Sequence, residues 1–272
     1  MKLYPNIVTV SPIETFSKHF PFQVWKIHYT QNHLLVELRD SELRVLKLMY
    51  LSLDSMEVLA ESDQDILSWW DNVVYVYGNY VAISTYKDPK FPDTQGVKVL
   101  DIVNGNLLWQ EDSWRILEGN TDCLSVVKDP KFPLRVEKVQ IASGELTVQN
   151  SEIAHSDLHL PELYTEGDVF FEQVAEFLAA KQFKPEKVVE YLDYCSLILI
   201  GIYTNDIKND LSVIQASILV FDSQGKLLNN YKCGHTEQGI GMGMYFVVKD
   251  RLVFVRDKKE IVILELSHCN KK

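Results

Sequence analysis

The sequence has few cysteines and no closely spaced cysteine pair. Its 272 residues include four, at positions 123, 195, 233 and 269, a spacing that favours neither a zinc site nor a disulfide scaffold. Positive charge is also scarce, because 27 Lys and Arg stand against 38 Asp and Glu, for a formal net charge of -11. Without a local basic patch, we expect no nucleic-acid partner and repulsion from anionic membrane surfaces.

Long apolar runs are missing as well. No stretch approaches the roughly 20 apolar residues that cross a bilayer, and the first six residues lead into no apolar signal segment. We therefore expect a soluble, cytoplasmic protein. The hydrophobic fraction of 46% and the aromatic fraction of 11% are enough for a sizeable folded core.

The clearest positive feature is an internal repeat. The hexapeptide KDPKFP at 87–92 recurs at 128–133, 41 residues later, and Gly78-Asn79 recurs at the same offset as Gly119-Asn120. Prolines cannot donate to a β-ladder, so each hexapeptide predicts a loop that follows a short apolar strand. The alternation over Val97–Ile102 predicts a further strand, and Asn104-Gly105 predicts a hairpin turn.

Weaker relatives of this unit bring the count to about five. Units of about 40 residues with three or four strands each are typical of propeller blades. The sequence therefore predicts a mostly β, β-propeller-like fold of about five blades, with residues 1–272 forming a single domain. The segment Ile7–Val10 is expected to complete the last blade.

One stretch carries a family resemblance. Asp101, Gly105 and Trp109 have the Asp, Gly, Trp spacing that closes each blade of quinoprotein-like propellers, and this stretch resembles that repeat. The chain also looks like one of the uncharacterised bacterial propeller-like families. The resemblance implies a fold and no activity. Because quinone sites in that family use adjacent cysteines, which this chain lacks, we expect no cofactor.

Residues 167–192 interrupt the repeat with a predicted helical hairpin. Apolar residues at i, i+4, i+7 and i+8 form a stripe on the first helix, namely Phe170, Phe171, Val174, Phe177 and Leu178. Pro185 suits the first turn of a second helix through Val188, Val189 and Leu192. The stripe either packs against the protein's own core, which we favour, or forms a homodimer or partner contact.

Several short motifs resemble chemical sites. His155 and His159 have a metal-ligand spacing, but Pro161 and the lack of apolar periodicity favour a solvated loop, so we expect no metal. Cys233, His235 and Glu237 are the residue types of nucleophilic catalysis, although adjacency in sequence is not catalytic geometry.

Glycines and tryptophans supply two further motifs. The run Gly239–Gly243 lacks the lysine of a phosphate-binding loop and leads into a strand, which favours a tight connection. Trp69, Trp70 and Trp109 could form a ligand platform, but packing between sheets is favoured.

The repeated loops are the remaining candidates for binding. If the repeats superpose, Lys90 with Phe91 and Lys131 with Phe132 present a repeated docking surface on the same face, while the alternative is that they only stiffen a connection. His235 is added as a weak binding candidate. The function predicted from the sequence is a non-enzymatic module that binds a protein partner or small ligand, and the alternative is a hydrolase-like enzyme with its site in a central channel.

Overall fold

The computed structural model describes residues 12–62, 66–88, 90, 93–128, 135–148, 157–208, 211–236 and 243–266. Within those ranges the chain forms 21 β-strands and one α-helix, so the protein is mostly β, as predicted. The chain divides into two compact units. We call Phe22–Ser156 the continuous unit, and Met1–Pro21 together with Asp157–Lys272 the split unit.

The continuous unit contains three antiparallel sheets in which strands that are consecutive in sequence are hydrogen-bonded neighbours. The first sheet is β2 Gln23–Thr30, β3 His33–Asp40, β4 Val45–Ser52 and β5 Val58–Glu61; the second is β6 Asp71–Tyr77, β7 Tyr80–Tyr86, β8 Thr94–Asp101 and β9 Asn106–Glu111; the third is β10 Arg115–Asn120, β11 Cys123–Val127 and β12 Val136–Gln140.

Alternating apolar side chains join these three sheets. Leu48 and Tyr50 of β4 share a buried cluster with Val81 and Ile83 of β7. On the far side of the second sheet, Val97 and Val99 of β8 share another cluster with side chains of β11 and β12. The second sheet is therefore apolar on both faces, and its burial contributes the usual ~25 cal/mol per Å² of apolar surface removed from water.

The split unit contains two antiparallel sheets. One has the order β14 Glu162–Thr165, β15 Val188–Tyr194, β16 Leu197–Lys208, β17 Leu211–Asp222 and β18 Leu227–Thr236; the other has the order β1 Ile13–His19, β21 Glu260–Glu265, β20 Arg251–Arg256, β19 Tyr245–Val248 and β13 Leu158–His159. An apolar cluster that includes Leu199, Val220, Val247 and Phe254 joins the two.

The first described strand completes the sheet that holds the last strands of the chain. Strand β1 pairs with β21 from Ile13 opposite Glu265 to His19 opposite Glu260. The predicted closing segment, Ile7–Val10, lies outside the described residues, so β1 takes that position in the structure. The five-bladed ring and the single domain stay predictions.

The prediction of a helical hairpin is correct for the first helix only. Helix α1 spans Val169–Ala179, and its N-cap Asp168 accepts a hydrogen bond from the backbone N–H of Phe170 at 2.9 Å. The predicted second helix is wrong, because Val188–Tyr194 forms β15 between β14 and β16. Val188 and Val189 are β-branched and suit a pleated sheet. Hydrogen bonds to β14 on one edge and to β16 on the other satisfy the backbone groups of this segment.

The sequence repeat keeps its offset of 41 residues at the hexapeptides, but the structure changes that offset at the opposite end of the strands. Gly78-Asn79 forms the turn between β6 and β7, whereas Thr121-Asp122 forms the turn between β10 and β11, so the offset there is 121 − 78 = 43. Gly119-Asn120 instead ends β10. Gly119 has a packing role, because a Cβ there would lie 2.0 Å from Cγ of Tyr75.

The Asp, Gly, Trp motif stabilises a turn. Asp101 Oδ1 accepts hydrogen bonds from the N–H groups of Val103 and Asn104, both at 3.1 Å, and Gly105 has a φ of +68°. Trp109 Nε1 donates to the carbonyl of Ile141 at 2.8 Å and so connects the second sheet to the third. These residues have structural roles, in agreement with the prediction that Trp109 packs between sheets.

Candidate functional site

Of the docking residues predicted in the KDPKFP loops, the structure describes only Lys90. Its side chain is exposed, and its backbone N–H donates to Oδ1 of Asp88 at 2.9 Å. Phe91, Lys131 and Phe132 lie outside the described residues. The repeated docking surface therefore stays a prediction.

Cys233 and His235 both lie on β18. Burial raises the pKa of the Cys233 thiol to about 12, whereas a catalytic cysteine needs a lowered pKa to form the reactive thiolate. No described residue forms a hydrogen bond with the buried Nδ1 of His235, and Glu237 lies outside the described residues. The environment of Cys233 therefore disfavours nucleophilic catalysis.

One cysteine forms a disulfide bond that the sequence did not lead us to expect. Cys123 and Cys233 are free and buried, whereas Cys195 is disulfide-bonded. The wide spacing of the cysteines along the chain disfavoured a disulfide scaffold, but spacing says little about pairing, because β-sheets bring distant segments together.

The end of the glycine-rich run binds an anion from the protein itself. The N–H groups of Gly243 and Met244 donate to Oε1 and Oε2 of Glu190, both at 2.8 Å. Glu190 is buried, and desolvation raises the pKa of its carboxyl group even though these two hydrogen bonds oppose the shift. The backbone amides at this end are therefore occupied by an internal carboxylate, which fits the predicted structural connection.

The structure describes only one of the two histidines that have a metal-ligand spacing. His155 lies outside it, whereas His159 lies in β13 with its ring edge-on to Tyr194 at a centroid distance of 5.0 Å. Across the described ranges, no group of three or more His, Cys, Asp and Glu side chains is arranged to hold a metal ion. In the same ranges, no helix is both long and apolar enough to cross a membrane.

Trp69, just before the second sheet, takes part in a charged cluster. Arg39 donates to Oε1 of Glu37 from Nε at 2.8 Å and from Nη2 at 2.6 Å, and both residues are buried. Arg39 also donates to the carbonyls of Trp69 at 2.8 Å and Asp71 at 2.6 Å. Its guanidinium group lies 5.7 Å from the ring of Trp25 and 5.3 Å from that of Trp69.

These contacts give Arg39 a structural role. Burial would raise the pKa of Glu37, but hydrogen bonding from His28 and the charge and hydrogen bonds of Arg39 hold it below its usual value. Arg39 joins the first sheet to the segment that begins the second, and its hydrogen bonds are made to the protein itself. The cluster therefore stabilises the continuous unit, and it explains why Trp69 is partly buried.

The best-formed apolar cavity lies in the split unit, between α1 and its neighbouring sheet. Its volume is about 380 Å³, within the range of about 300–1,000 Å³ for small-molecule sites. Four aromatic rings, three aliphatic side chains and one amide form its wall: Tyr164, Phe170, Phe177, Tyr191, Val174, Ile198, Ile200 and Gln173. We call this space the aromatic cavity.

Local structure holds the rings of the aromatic cavity in place. Phe171 and Leu178 anchor α1 in the core beneath it. Phe177 packs edge-to-face on Phe221 at 5.0 Å and also covers Gly225, where a Cβ would lie only 3.1 Å from its ring. With the helix held on one side, Phe170 stacks on Tyr164 at 5.3 Å.

The aromatic cavity carries no formal charge among its lining side chains. Tyr164 donates a hydrogen bond to Glu162, an interaction that raises its pKa to about 12. Burial raises the pKa of Tyr191 as well. Both phenols therefore stay neutral near pH 7, and the cavity offers aromatic faces with a few neutral polar groups.

Sequence reasoning found the helical half of this cavity and missed the other half. Phe170, Val174 and Phe177 belong to the predicted apolar stripe, whereas Tyr191 was assigned to a helix that is a strand. A strand pattern for Val188–Tyr194 would place Val189 and Tyr191 on one face, and that period of two was the available signal.

Comparisons with known proteins give a limited match. A family model described as a domain of unknown function, DUF4905, matches residues 27–109. The chain is similar to that family over this segment, which runs from β2 to β9. No curated protein matches the chain.

Several solved structures are similar over most of the chain, at low scores. The β-propeller domain of Cps50 (Swd1) from Myceliophteria thermophila has a TM-score of 0.34 and 11% identity, covering 94% of this chain and 100% of that one. BamB from Moraxella catarrhalis has a TM-score of 0.27 and 9% identity, covering 97% and 100%. A DUF4221 family member from Bacteroides vulgatus has a TM-score of 0.25 and 8% identity, covering 94% and 97%. No role is transferred from them.

Proposed function

We propose that this protein is a non-enzymatic ligand-binding module and that the aromatic cavity is its site for a small, neutral, aromatic ligand. The observation that carries this proposal is the cavity itself, about 380 Å³ in volume and lined by four aromatic rings. Aromatic rings prefer offset-stacked or edge-to-face partners, each worth about 0.5–1.5 kcal/mol beyond the burial of area. The absence of a charged lining side chain disfavours an ionic ligand, because burial would strip its water without a counter-charge.

The wider fold prediction fits this proposal. Antiparallel sheets of three to five strands are the units from which propeller-like repeats are built, and we propose the sheets of each unit as such repeats. The predicted homodimer contact through α1 stays a prediction. It would use Val169 and Phe170, whose exposed fractions are 68% and 56%.

Indole is a suitable probe for the aromatic cavity, and its binding can be measured by isothermal titration calorimetry. We expect saturable binding to the wild-type chain. The substitution Val174→Phe adds a ring to the cavity wall and should abolish binding, because the added volume occupies the ligand's place. The matched control is Val169→Phe, on the same helix but outside the lining.

The control variant should bind indole as the wild type does, and circular dichroism should show both variants folded. Two outcomes would count against the proposal. One is no saturable binding by the wild-type chain; the other is equal binding by the Val174→Phe and Val169→Phe variants.

A further inference from the structure

The continuous unit contains a second cavity, with a different chemistry, beside the first KDPKFP loop. Its volume is about 370 Å³. The polar side chains of its wall come from both strands of one hairpin and from the segment after β9: Thr85, Lys87, Gln95, Lys98 and Asp112. We call it the lysine cavity. It goes beyond the function proposed above, since it shares no residue with the aromatic cavity.

The internal repeat provides a comparison for this cavity. Counted from the KDPKFP loop, the second residue pair of each hairpin is Thr85 with Gln95 in the second sheet, and Val126 with Glu137 in the third. Gln95 therefore occupies the position of Glu137, and Lys87 occupies the position of Lys128.

In the second copy of the repeat, an ion pair occupies this position. Lys128 Nζ lies 2.8 Å from Oε2 of Glu137 and 4.4 Å from the centre of the Trp114 ring. Lysine and carboxylate are thus paired with each other, and the ring covers the lysine.

In the first copy of the repeat, the lysine at this position has no such partner among the described residues. Lys87 is exposed and forms no ion pair with any residue in the described part of the chain. Gln95 cannot supply a carboxylate, and no described residue donates a hydrogen bond to its buried Oε1. A buried acceptor without a donor costs about 1–3 kcal/mol, so a ligand that donates to it gains affinity.

A second lysine is held at the same cavity. Lys98 Nζ lies 3.1 Å from Oδ2 and 3.3 Å from Oδ1 of Asp71, whose side chain is fully buried. Thr85 also donates to Asp71, at 2.6 Å, and so fixes the carboxylate. An ammonium group has three N–H donors, and two oxygens of one carboxylate use at most two of them. At least one donor of Lys98 remains for a ligand.

The wall between these groups is shaped by an irregularity in the sheet. Ser84 faces both Gly96 and Val97, a β-bulge in which Gly96 has a φ of +80°. Bulges change the direction of neighbouring side chains, here Gln95 and Lys98 on either side. Asp112 also lines the cavity; it is exposed, and its Oδ1 accepts a hydrogen bond from Nε2 of Gln110 at 2.5 Å, which leaves Oδ2 for a ligand.

We propose that the lysine cavity binds a free α-amino acid. The ligand's carboxylate would lie between Lys87 and Lys98, in the role that Glu137 has for Lys128. Its ammonium group would donate to Oε1 of Gln95 and pair with Asp112. With Asp71 counted, two cations, two carboxylates and one buried acceptor surround the site, and this balance complements a zwitterion better than a simple anion.

The experiment measures binding of the common amino acids by isothermal titration calorimetry at low salt. Each amino acid that binds is compared with two analogues of similar size, the amine that lacks the carboxylate and the acid that lacks the ammonium group. We expect saturable binding of one or more amino acids, and about tenfold or greater weakening for both analogues, because each loses a charge-assisted contact.

The decisive variant is Gln95→Glu, which introduces the residue of the second copy. It should form an internal ion pair with Lys87 and weaken amino-acid binding about tenfold or more, while a melting temperature at or above that of the wild type shows that it folds. The matched control is Lys90→Gln, an exposed lysine of the same loop outside the cavity wall. It should bind as the wild type does.

Three results would overturn the proposal: no amino acid binds saturably, the acid lacking an ammonium group binds as tightly as its amino acid, or Gln95→Glu binds as tightly as Lys90→Gln. The Val174→Phe variant of the aromatic cavity should leave amino-acid binding unchanged. A failure at either cavity is therefore distinguishable from a failure at the other.

Discussion

Replacing Arg39 by methionine should strongly destabilise the continuous unit at neutral pH. The change removes two hydrogen bonds to the buried carboxylate of Glu37, at 2.6 and 2.8 Å, and two to the carbonyls of Trp69 and Asp71. Glu37 is only 1% exposed, so it would be left as a buried charge with only His28 nearby. Breaking a buried pair by removing one partner costs about 3–5 kcal/mol.

The loss of stability caused by Arg39→Met should depend on pH. In the wild type the folded-state pKa of Glu37 is below its usual value of 4.5, so this group's stabilisation is present above that value and is lost as pH falls through the folded pKa. Without Arg39, burial should raise the pKa of Glu37 above 4.5. Protonation in the folded state then relieves the buried charge, and the deficit relative to the wild type should shrink between pH 7 and pH 4.5.

Urea denaturation followed by circular dichroism at pH 7 and pH 5 measures this effect. The matched control is Arg135→Met, because Arg135 is exposed and lies 3.5 Å from Glu137, and such surface pairs are worth about 0–1 kcal/mol. The double substitution Glu37→Leu with Arg39→Met removes both charges and should recover much of the loss. A loss below about 1 kcal/mol at pH 7, or one that does not change with pH, would refute this account of the cluster.

Two further predictions concern packing and reactivity. Gly119→Ala places a Cβ 2.0 Å from the ring of Tyr75 and should cost about 1–3 kcal/mol in urea denaturation, and much less when it is made in a Tyr75→Ala background; an unchanged midpoint in the wild-type background would contradict the close contact. Cys233, buried with a pKa of about 12, should resist iodoacetamide at pH 8 until the chain unfolds, as mapped by peptide mass spectrometry. Rapid labelling of the folded chain would show that this thiol is accessible.

Strands bounded by turn residues were predictable from local pattern. The short apolar strand predicted ahead of the second hexapeptide is β11, and Asn104-Gly105 forms the predicted turn. Prediction was weaker where long-range pairing determines the conformation. Val188–Tyr194 became a strand through its pairing with β14 and β16.

The candidate sites depended even more on the tertiary structure. The sequence singled out the KDPKFP loops but not the difference between their neighbouring residues, Gln95 and Glu137. That difference becomes meaningful only when strand register places each residue beside its lysine. The glycine-rich run shows the converse, because its final amides bind the internal carboxylate of Glu190, 53 residues away along the chain.

By itself, the sequence determined that the protein is mostly β, repeats near a 40-residue period and carries the amphipathic stripe of α1. These properties follow from side-chain periodicity and from the fixed backbone preferences of proline and glycine, which act over a few residues. The tertiary structure alone decided that α1 and its sheet enclose a cavity of aromatic rings, and that one copy of the repeat is closed by an ion pair while the other stays open. Cavities and ion pairs depend on the distances between side chains remote in sequence, and strand register and packing set those distances.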